Sequence, residues 1–386
     1  MPYKLLVFNP SDYPRGGHVV TPWQPIGDRT GISPDAFRLL TEQGQVIPAQ
    51  VDRVDPSDQR LDTLAFVLPY DAAPGSDDYS QPTAAVLLES VETPKAKEPT
   101  AAAEPVGLPE RVQLANGKLS LSVNLLPSQD ESKFDWFAGS AQSVRLGKVD
   151  LLDVWVSILG LTEHDPEKRC MQVDRLMIPK LDESAQEVWL FNRPYRMLSY
   201  CPGPVRQACT IAAEPFEYIR IDPLDGGHTR LECTFYRTLI LYDRADYVIE
   251  ELWLKGRGSE AKGESVDLLF SARYFSYMDL GFDPVIYRYD GVPGWFAIGY
   301  PQGYVRPGYG FATDVDVRQL RYPHPDYPVG ENSYKTFSWE LHPSKKARCL
   351  HLFQLGGPES IERRTGHAWY EEMYKPLNKV ALERGE

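Results

Sequence analysis

Short apolar segments of strand length, separated by polar turns, run through the first part of the chain. Tyr3 to Phe8 is the first and stops at Asn9-Pro10; His18 to Trp23 is the second. Phe37–Leu40 and Val46–Val54 flank Glu42-Gln43-Gly44-Gln45, which predicts a hairpin with a glycine-containing turn. Leu61–Leu68 and Ala84–Val91 add two more strands. This spacing predicts a small β-sandwich over residues 1–92.

The pattern then breaks. Thr93 to Pro109 (TPKAKEPTAAAEPVGLP) has four prolines, alanine, and Lys/Glu, with no apolar periodicity. It reads as an extended linker over 93–109. Beyond it, Arg111–Leu114 and Leu119–Asn124 flank Ala115-Asn116-Gly117-Lys118, a strong hairpin signal. Val144–Leu161 and Val188–Phe191 are further strands. The clearest block is a predicted antiparallel meander of His228–Tyr242, Tyr247–Leu254 and Val266–Tyr277. In its first strand His228, Arg230, Glu232, Thr234 and Tyr236 share one face; Leu231, Cys233, Phe235, Leu239 and Leu241 share the other, with Arg237 as the exception. Tyr334–Leu341 and Arg348–Leu355 close the pattern, and Ser360–Tyr374 is a helix that Pro376 would end. The second domain is predicted to be one large β-sandwich over 110–386.

Composition sharpens this picture. The chain has 386 residues, 42% of them hydrophobic, with 22 Tyr, 15 Phe, 8 Trp, 33 Pro and 29 Gly, as expected of an all-β protein with many turns. A net charge of −13 argues against nucleic acid or an anionic membrane as partner. No apolar run has the length of a membrane span. The five cysteines are scattered, fitting neither a disulfide framework nor a zinc site, so we expect a reduced, cytoplasmic protein without a structural metal or organic cofactor. Calcium held by loop carboxylates is left open.

Few motifs carry chemistry by themselves. Gly256-Arg257-Gly258 lies between strands and reads as a turn, and no nucleophile elbow occurs. His367 and Glu371 are four apart on the C-terminal helix without a third ligand nearby, the pattern of a surface pair. The wet face of the meander is different. Polar alternations on neighbouring strands converge on one patch. They place His228, Glu232, Tyr236, Arg273 and Tyr277 as candidate catalytic residues, with Glu251 beside them. An aromatic loop carrying Trp295 and Tyr300 would supply the stacking surface of a sugar site.

The order of short motifs resembles the β-region of glycoside hydrolase family 38 α-mannosidases. Leu6-Val7-Phe8-Asn9-Pro10 with Pro14-Arg15 is similar to that family's FNP…PR opening, and Val46-Ile47-Pro48-Ala49-Gln50-Val51 to its V-P-x-Q strand. Leu114-Ala115-Asn116-Gly117-Lys118-Leu119 resembles the entry to its large sandwich, and Tyr236–Ile240 with Ile249-Glu250 its R…iE hairpin. The resemblance implies a small β-sandwich followed by a galactose-mutarotase-like supersandwich. The family's catalytic domain and zinc ligands lie upstream of this region, so no catalytic residue carries over. The function expected is processing of a sugar or glycoside by general acid–base chemistry, as glycosidase, lyase or epimerase. The alternative is a noncatalytic carbohydrate-binding or accessory subunit of a separate catalytic chain; a homo-oligomer is also open.

Overall fold

The computed structural model describes residues 3–53, 59–75, 81–91, 110–127, 138–139, 141–150, 173–179, 185–190, 193–221, 228–258, 265–266, 272–279, 285–289, 294–299, 307–314, 317–321, 334–341 and 346–384. In chain order the strands are β1 (Tyr3–Val7), β2 (Arg15–Pro22), β3 (Phe37–Leu40), β4 (Val46–Ile47), β5 (Ala49–Asp52), β6 (Thr63–Ala72), β7 (Ala84–Ser90), β8 (Arg111–Ala115), β9 (Leu119–Asn124), β10 (Ala141–Leu146), β11 (Val149–Asp150), β12 (Val173–Pro179), β13 (Ala185–Trp189) and β14 (Tyr195–Cys201). They continue with β15 (Arg206–Ala213), β16 (Phe216–Ile221), β17 (His228–Tyr242), β18 (Tyr247–Gly258), β19 (Ser265–Val266), β20 (Ala272–Asp279), β21 (Val285–Tyr289), β22 (Trp295–Gly299), β23 (Pro307–Thr313), β24 (Val317–Arg321), β25 (Tyr334–Leu341), β26 (Ala347–Leu355) and β27 (Val380–Arg384). Helix α1 (Gln24–Thr30) is short; α2 (Pro358–Trp369) is continued by a π turn over Tyr370–Tyr374. The protein is an all-β sandwich protein with one C-terminal helix of note.

The chain forms two compact units. The first comprises Met1–Leu108, Leu198–Cys209 and Tyr370–Glu386; the second comprises Pro109–Met197 and Thr210–Trp369. The predicted linker over 93–109 lies outside the described residues. The first unit therefore draws on two segments that a division into 1–92 and 110–386 assigns to the other domain.

In the first unit the sheets β27-β1-β7-β3-β4 and β2-β6-β5 share one core of Leu5, Val7, Val19, Leu39, Leu64, Phe66, Val86 and Leu88. The sequence predicts a single strand over Val46–Val54, but Pro48 divides it. Ile47 pairs with Leu39 in one sheet, and Ala49 with Phe66 in the other. Proline has no N–H to give a ladder, so the crossing between sheets falls there.

Gln50 explains how Leu198–Cys209 joins this unit. Its Oε1 accepts from the backbone N–H of Val205 and Arg206 at 3.0 and 3.1 Å, and its Nε2 donates to Arg206 O at 3.0 Å. A side chain at Gly203 would collide with it, since a Cβ there would lie 2.0 Å from Gln50 Oε1. Arg206, itself buried, pairs with buried Asp52 through Nε at 2.5 Å and donates from Nη2 to Thr63 Oγ1 at 2.8 Å.

The second unit holds a β11-β10-β9-β8 sheet, a β13-β12-β20-β25-β24 sheet and a larger sheet with the path β17-β18-β26-β23-β22-β21. The β8/β9 hairpin forms as predicted, Ala115 opposite Ser120. Its Asn116 accepts from the N–H of Lys118 and Leu119 at 2.8 and 2.7 Å. The same side chain donates to Tyr242 O and Ala245 O at 2.7 and 2.9 Å, tying this turn to the one between β17 and β18.

The predicted meander keeps its first two strands and only the start of the third, where Val266 of β19 pairs with Gly256 of β18. β17 pairs with β18 from Leu231–Gly258 to Ile240–Ile249, but the far edge of β18 pairs with β26. β20 lies instead between β12 and β25 in another sheet. β26 is buried along nearly its whole length, which suits an interior strand covered on both faces. That demand outweighs sequence proximity. Helix α2 buries Ile361, Thr365 and Ala368, and Gly310 makes room for Thr365, whose Oγ1 would lie 2.0 Å from a Cβ there.

Two buried thiols yield a pH prediction. Burial pushes Cys209 and Cys233 from the ordinary value of 9.0 up to about 12. The folded state holds these protons more tightly than the unfolded chain. Their stabilisation is complete below pH 9 and is lost as pH rises towards about 12. Urea unfolding should therefore show wild type losing stability over that window faster than a Cys209→Ala, Cys233→Ala double variant. The excess loss approaches about 1.4 kcal/mol per pH unit for each thiol.

Candidate functional site

The structure places the residues that the sequence groups on strands of two sheets. Glu232, Tyr236 and Glu251 share one face of the β17–β18 pair, with Glu232 exposed. His228 opens β17, opposite Ile221 of β16. Arg273 and Tyr277 lie on β20, opposite Glu340 and Thr336 of β25. Strand adjacency, the reason for grouping them with β17, does not hold. Trp295 shares the face of Glu251, but β23 and β26 intervene. It packs on the helix, its Cζ2 lying 3.3 Å from where a Gly366 Cβ would stand. Tyr300 lies outside the described residues.

The aromatic rings on this face are already engaged. Tyr236 and Trp253 stack at 5.1 Å and 6°. Lys255 Nζ lies 5.4 Å over Tyr236, and Lys346 Nζ 4.4 Å over Trp253. Lys346 also meets Glu251 at 3.2 Å. The row is a cation–π stack, and Trp253 within it is buried.

The opposite face carries a buried polar line. Arg237 Nε stands 2.9 Å from Glu250 Oε1, an ion pair without hydrogen-bond alignment, and Arg237 Nη1 donates to Gly139 O. Glu250 Oε2 lies 3.1 Å from His351 Nε2, and His351 Nδ1 lies 2.8 Å from the Tyr309 hydroxyl. A carboxylate only accepts, so Nε2–H donates to it; Nδ1 of a neutral ring then accepts from the phenol. Burial, with help from Cys349 and Glu250, holds the Tyr309 phenol well above its ordinary range and so protonated. Arg237, Glu250 and Tyr309 are each 1% exposed and His351 7%, so the line has no open face for a substrate. The exception in the oily face of β17 was the visible sign of this pair.

A second polar assembly lies in the first unit, and the sequence reading missed it. Asn9, buried, donates from Nδ2 to Tyr13 O, Ala72 O and Ala73 O at 2.9, 3.3 and 3.1 Å; its Oδ1 accepts from Ser11 N at 3.0 Å. It thereby ties the loop before β2 to the end of β6. Gly75 is required there, because a Cβ would lie 1.9 Å from Asn9 O. Arg15 then pairs with Ala72, whereas Gly17 pairs with Leu68, so Pro69, Tyr70 and Asp71 bulge from β6. Gly16 faces the bulge, where a Cβ would stand 3.1 Å from Tyr70 O and 3.2 Å from Asp71 Oδ1.

The bulge opens a shallow cleft of about 390 Å³ lined by Tyr13, Arg15, Tyr70, Asp71 and Glu371, among others. Arg15 is only 6% exposed. Its Nη2 donates to Glu371 O at 3.4 Å; among the described residues its buried Nε and Nη1 have no hydrogen-bond partner. Burial, then Glu371, raises the Tyr13 phenol, against the opposing pull of Arg15. Tyr70 donates to Ala85 O at 2.6 Å and stays 38% exposed. The signals were present in the sequence as Pro69 inside a strand and Gly16-Gly17 opposite it. Among the described residues no cluster of His, Cys, Asp and Glu has the geometry of a metal site, and no helix is long and apolar enough to cross a membrane.

No family model matches the chain, and no curated protein matches it. Solved structures do. An α-mannosidase from Enterococcus faecalis V583 aligns over 100% of this chain and 46% of its own at 10% identity and a TM-score of 0.46. The GH36 α-galactosidase AgaA from Geobacillus stearothermophilus aligns over 68% of this chain and 42% of its own at 12% identity and 0.31. A Klebsiella pneumoniae protein assigned as an aldose 1-epimerase aligns over 95% of both chains at 9% identity and 0.33. The chain thus spans less than half the length of the mannosidase it is similar to. These likenesses concern the backbone and assign no activity.

The buried line has a stability consequence. Glu250→Gln keeps the shape but leaves Arg237 uncompensated, and should destabilise the protein by about 3–5 kcal/mol in urea unfolding. Tyr309→Phe removes one neutral hydrogen bond and should cost only about 1 kcal/mol.

Proposed function

We propose that this chain is a carbohydrate-binding protein that serves as a noncatalytic accessory to a separate catalytic chain, and that the bulge cleft of the first unit is its binding surface. The observation that carries this reading is Arg15, a buried guanidinium whose Nε and Nη1 make no hydrogen bond among the described residues, at a cleft lined by tyrosines and carboxylates. A sugar hydroxyl both donates and accepts. Arg15 N–H groups can give to hydroxyl or ring oxygens, while Asp71 and Glu371 take hydroxyl protons. Tyr13 and Tyr70 offer apolar ring surface to the C–H face of a pyranose. An anion would meet both carboxylates, so the mixed lining favours a neutral polyol. The shallow shape favours binding over catalysis, since water is not excluded.

A second reading is an enzyme acting on a sugar by acid–base chemistry. The Tyr309–His351–Glu250 line favours it, as a histidine between a carboxylate and a phenol is a proton-transfer arrangement. Its burial ranks it second, and release or epimerisation of a sugar by the purified chain would put it first.

Calorimetric titration with monosaccharides and short oligosaccharides tests the leading reading. Arg15→Ala should weaken binding by about tenfold or more, the worth of charge-assisted hydrogen bonds. Asp71→Asn, at an exposed site, should weaken it less and leave the fold intact by circular dichroism. Wild-type affinity in both variants would remove the cleft from consideration.

A further inference from the structure

Tyr13 of the cleft is the first of three neighbouring tyrosines. The Tyr13 ring stacks on Tyr370 at 5.8 Å and 25°, and Tyr370 stands 5.9 Å from Tyr374 at 45°. Both later tyrosines belong to the π turn that follows α2, closed by a bond from Lys375 N to Tyr370 O at 2.8 Å. π turns are rare and concentrate at functional sites. The same turn carries Glu371, whose backbone oxygen meets Arg15 and whose side chain lines the cleft. Tyr374 is 52% exposed, among the most exposed large aromatics described. Lys375 lies over both rings, at 5.7 Å from Tyr370 and 5.8 Å from Tyr374, adding a donor on the ridge.

Three tyrosines thus lead outward from the buried guanidinium, each step close to the length of one pyranose residue. A monosaccharide would use the cleft alone. An exposed aromatic ridge continuous with the cleft adds contact only for a ligand that leaves it. We infer that the ligand is a glycan chain: one residue is held by Arg15, Tyr13 and Asp71, and the next residues run along Tyr370, Tyr374 and Lys375. This rests on the carbohydrate-binding reading above and goes further by naming an oligosaccharide as the ligand class.

The test is isothermal titration of the full chain with mannose, galactose and glucose, each as the free hexose and as its linear tetrasaccharide. Wild type, Tyr374→Ala and Tyr374→Trp are compared. At least one tetrasaccharide should bind about tenfold or more tighter than its hexose. Tyr374→Ala should weaken that tetrasaccharide about three- to tenfold without changing hexose affinity, the range for loss of an aromatic contact. Tyr374→Trp should restore it. Equal affinities for hexose and tetrasaccharide, or no effect of Tyr374→Ala, would overturn the chain-binding inference while leaving the cleft as a single-sugar site. Absence of binding by every probe, with folding confirmed by circular dichroism, would overturn both.

Discussion

A guanidinium taken out of water must find acceptors, and three arginines buried among the described residues are organised around that demand. Arg206 meets Asp52 and Thr63 in the first unit, and Arg237 meets Glu250 and the carbonyl of Gly139 in the second. Arg206 joins β15 to β5 and β6, and Arg237 joins the β17–β18 hairpin to Gly139, 98 positions away. Arg15 is also buried, and it lines the cleft of the first unit. Two of these arginines therefore specify the fold. The third leaves Nε and Nη1 without a hydrogen bond among the described residues.

The cleft depends on local irregularity in otherwise regular sheets. Asn9 gathers the ends of a loop and of β6, and the bulge at Pro69–Asp71 pushes backbone outward where Gly16 leaves room. A flat β2–β6 pair would have buried or exposed Arg15 outright. The bulge leaves the side chain buried yet lining the cleft, and bulges are a usual way for a sheet to re-aim a residue. The π turn does the equivalent service at the end of α2, setting Tyr370 and Glu371 beside the loop that carries Tyr13 and Arg15.

The short motifs that resemble a mannosidase β-region acquire physical roles here. In Phe8-Asn9-Pro10 with Arg15, the asparagine builds the loop and the arginine forms the floor of the cleft. Gln50 holds the backbone of Val205 and Arg206 and recruits Leu198–Cys209 to the first unit. Asn116 links two turns of the second unit. Each satisfies backbone donors or acceptors that burial would otherwise leave open.

The sequence by itself determined the all-β class, most strand positions and the C-terminal helix, because period-two alternation and turn residues act over a few neighbours. His228–Tyr242, Tyr334–Leu341 and Phe37–Leu40 fall where alternation puts them. It also showed which face of β17 is oily and that Arg237 breaks it. Tertiary structure alone decided the partners. β18 pairs with β26, a strand buried on both faces, and Arg273 and Tyr277 of β20 fall in another sheet. It alone set Arg15 beside Glu371, 356 positions away. Pairing and bulging answer to burial over the whole sheet, a sum that no short window of residues contains.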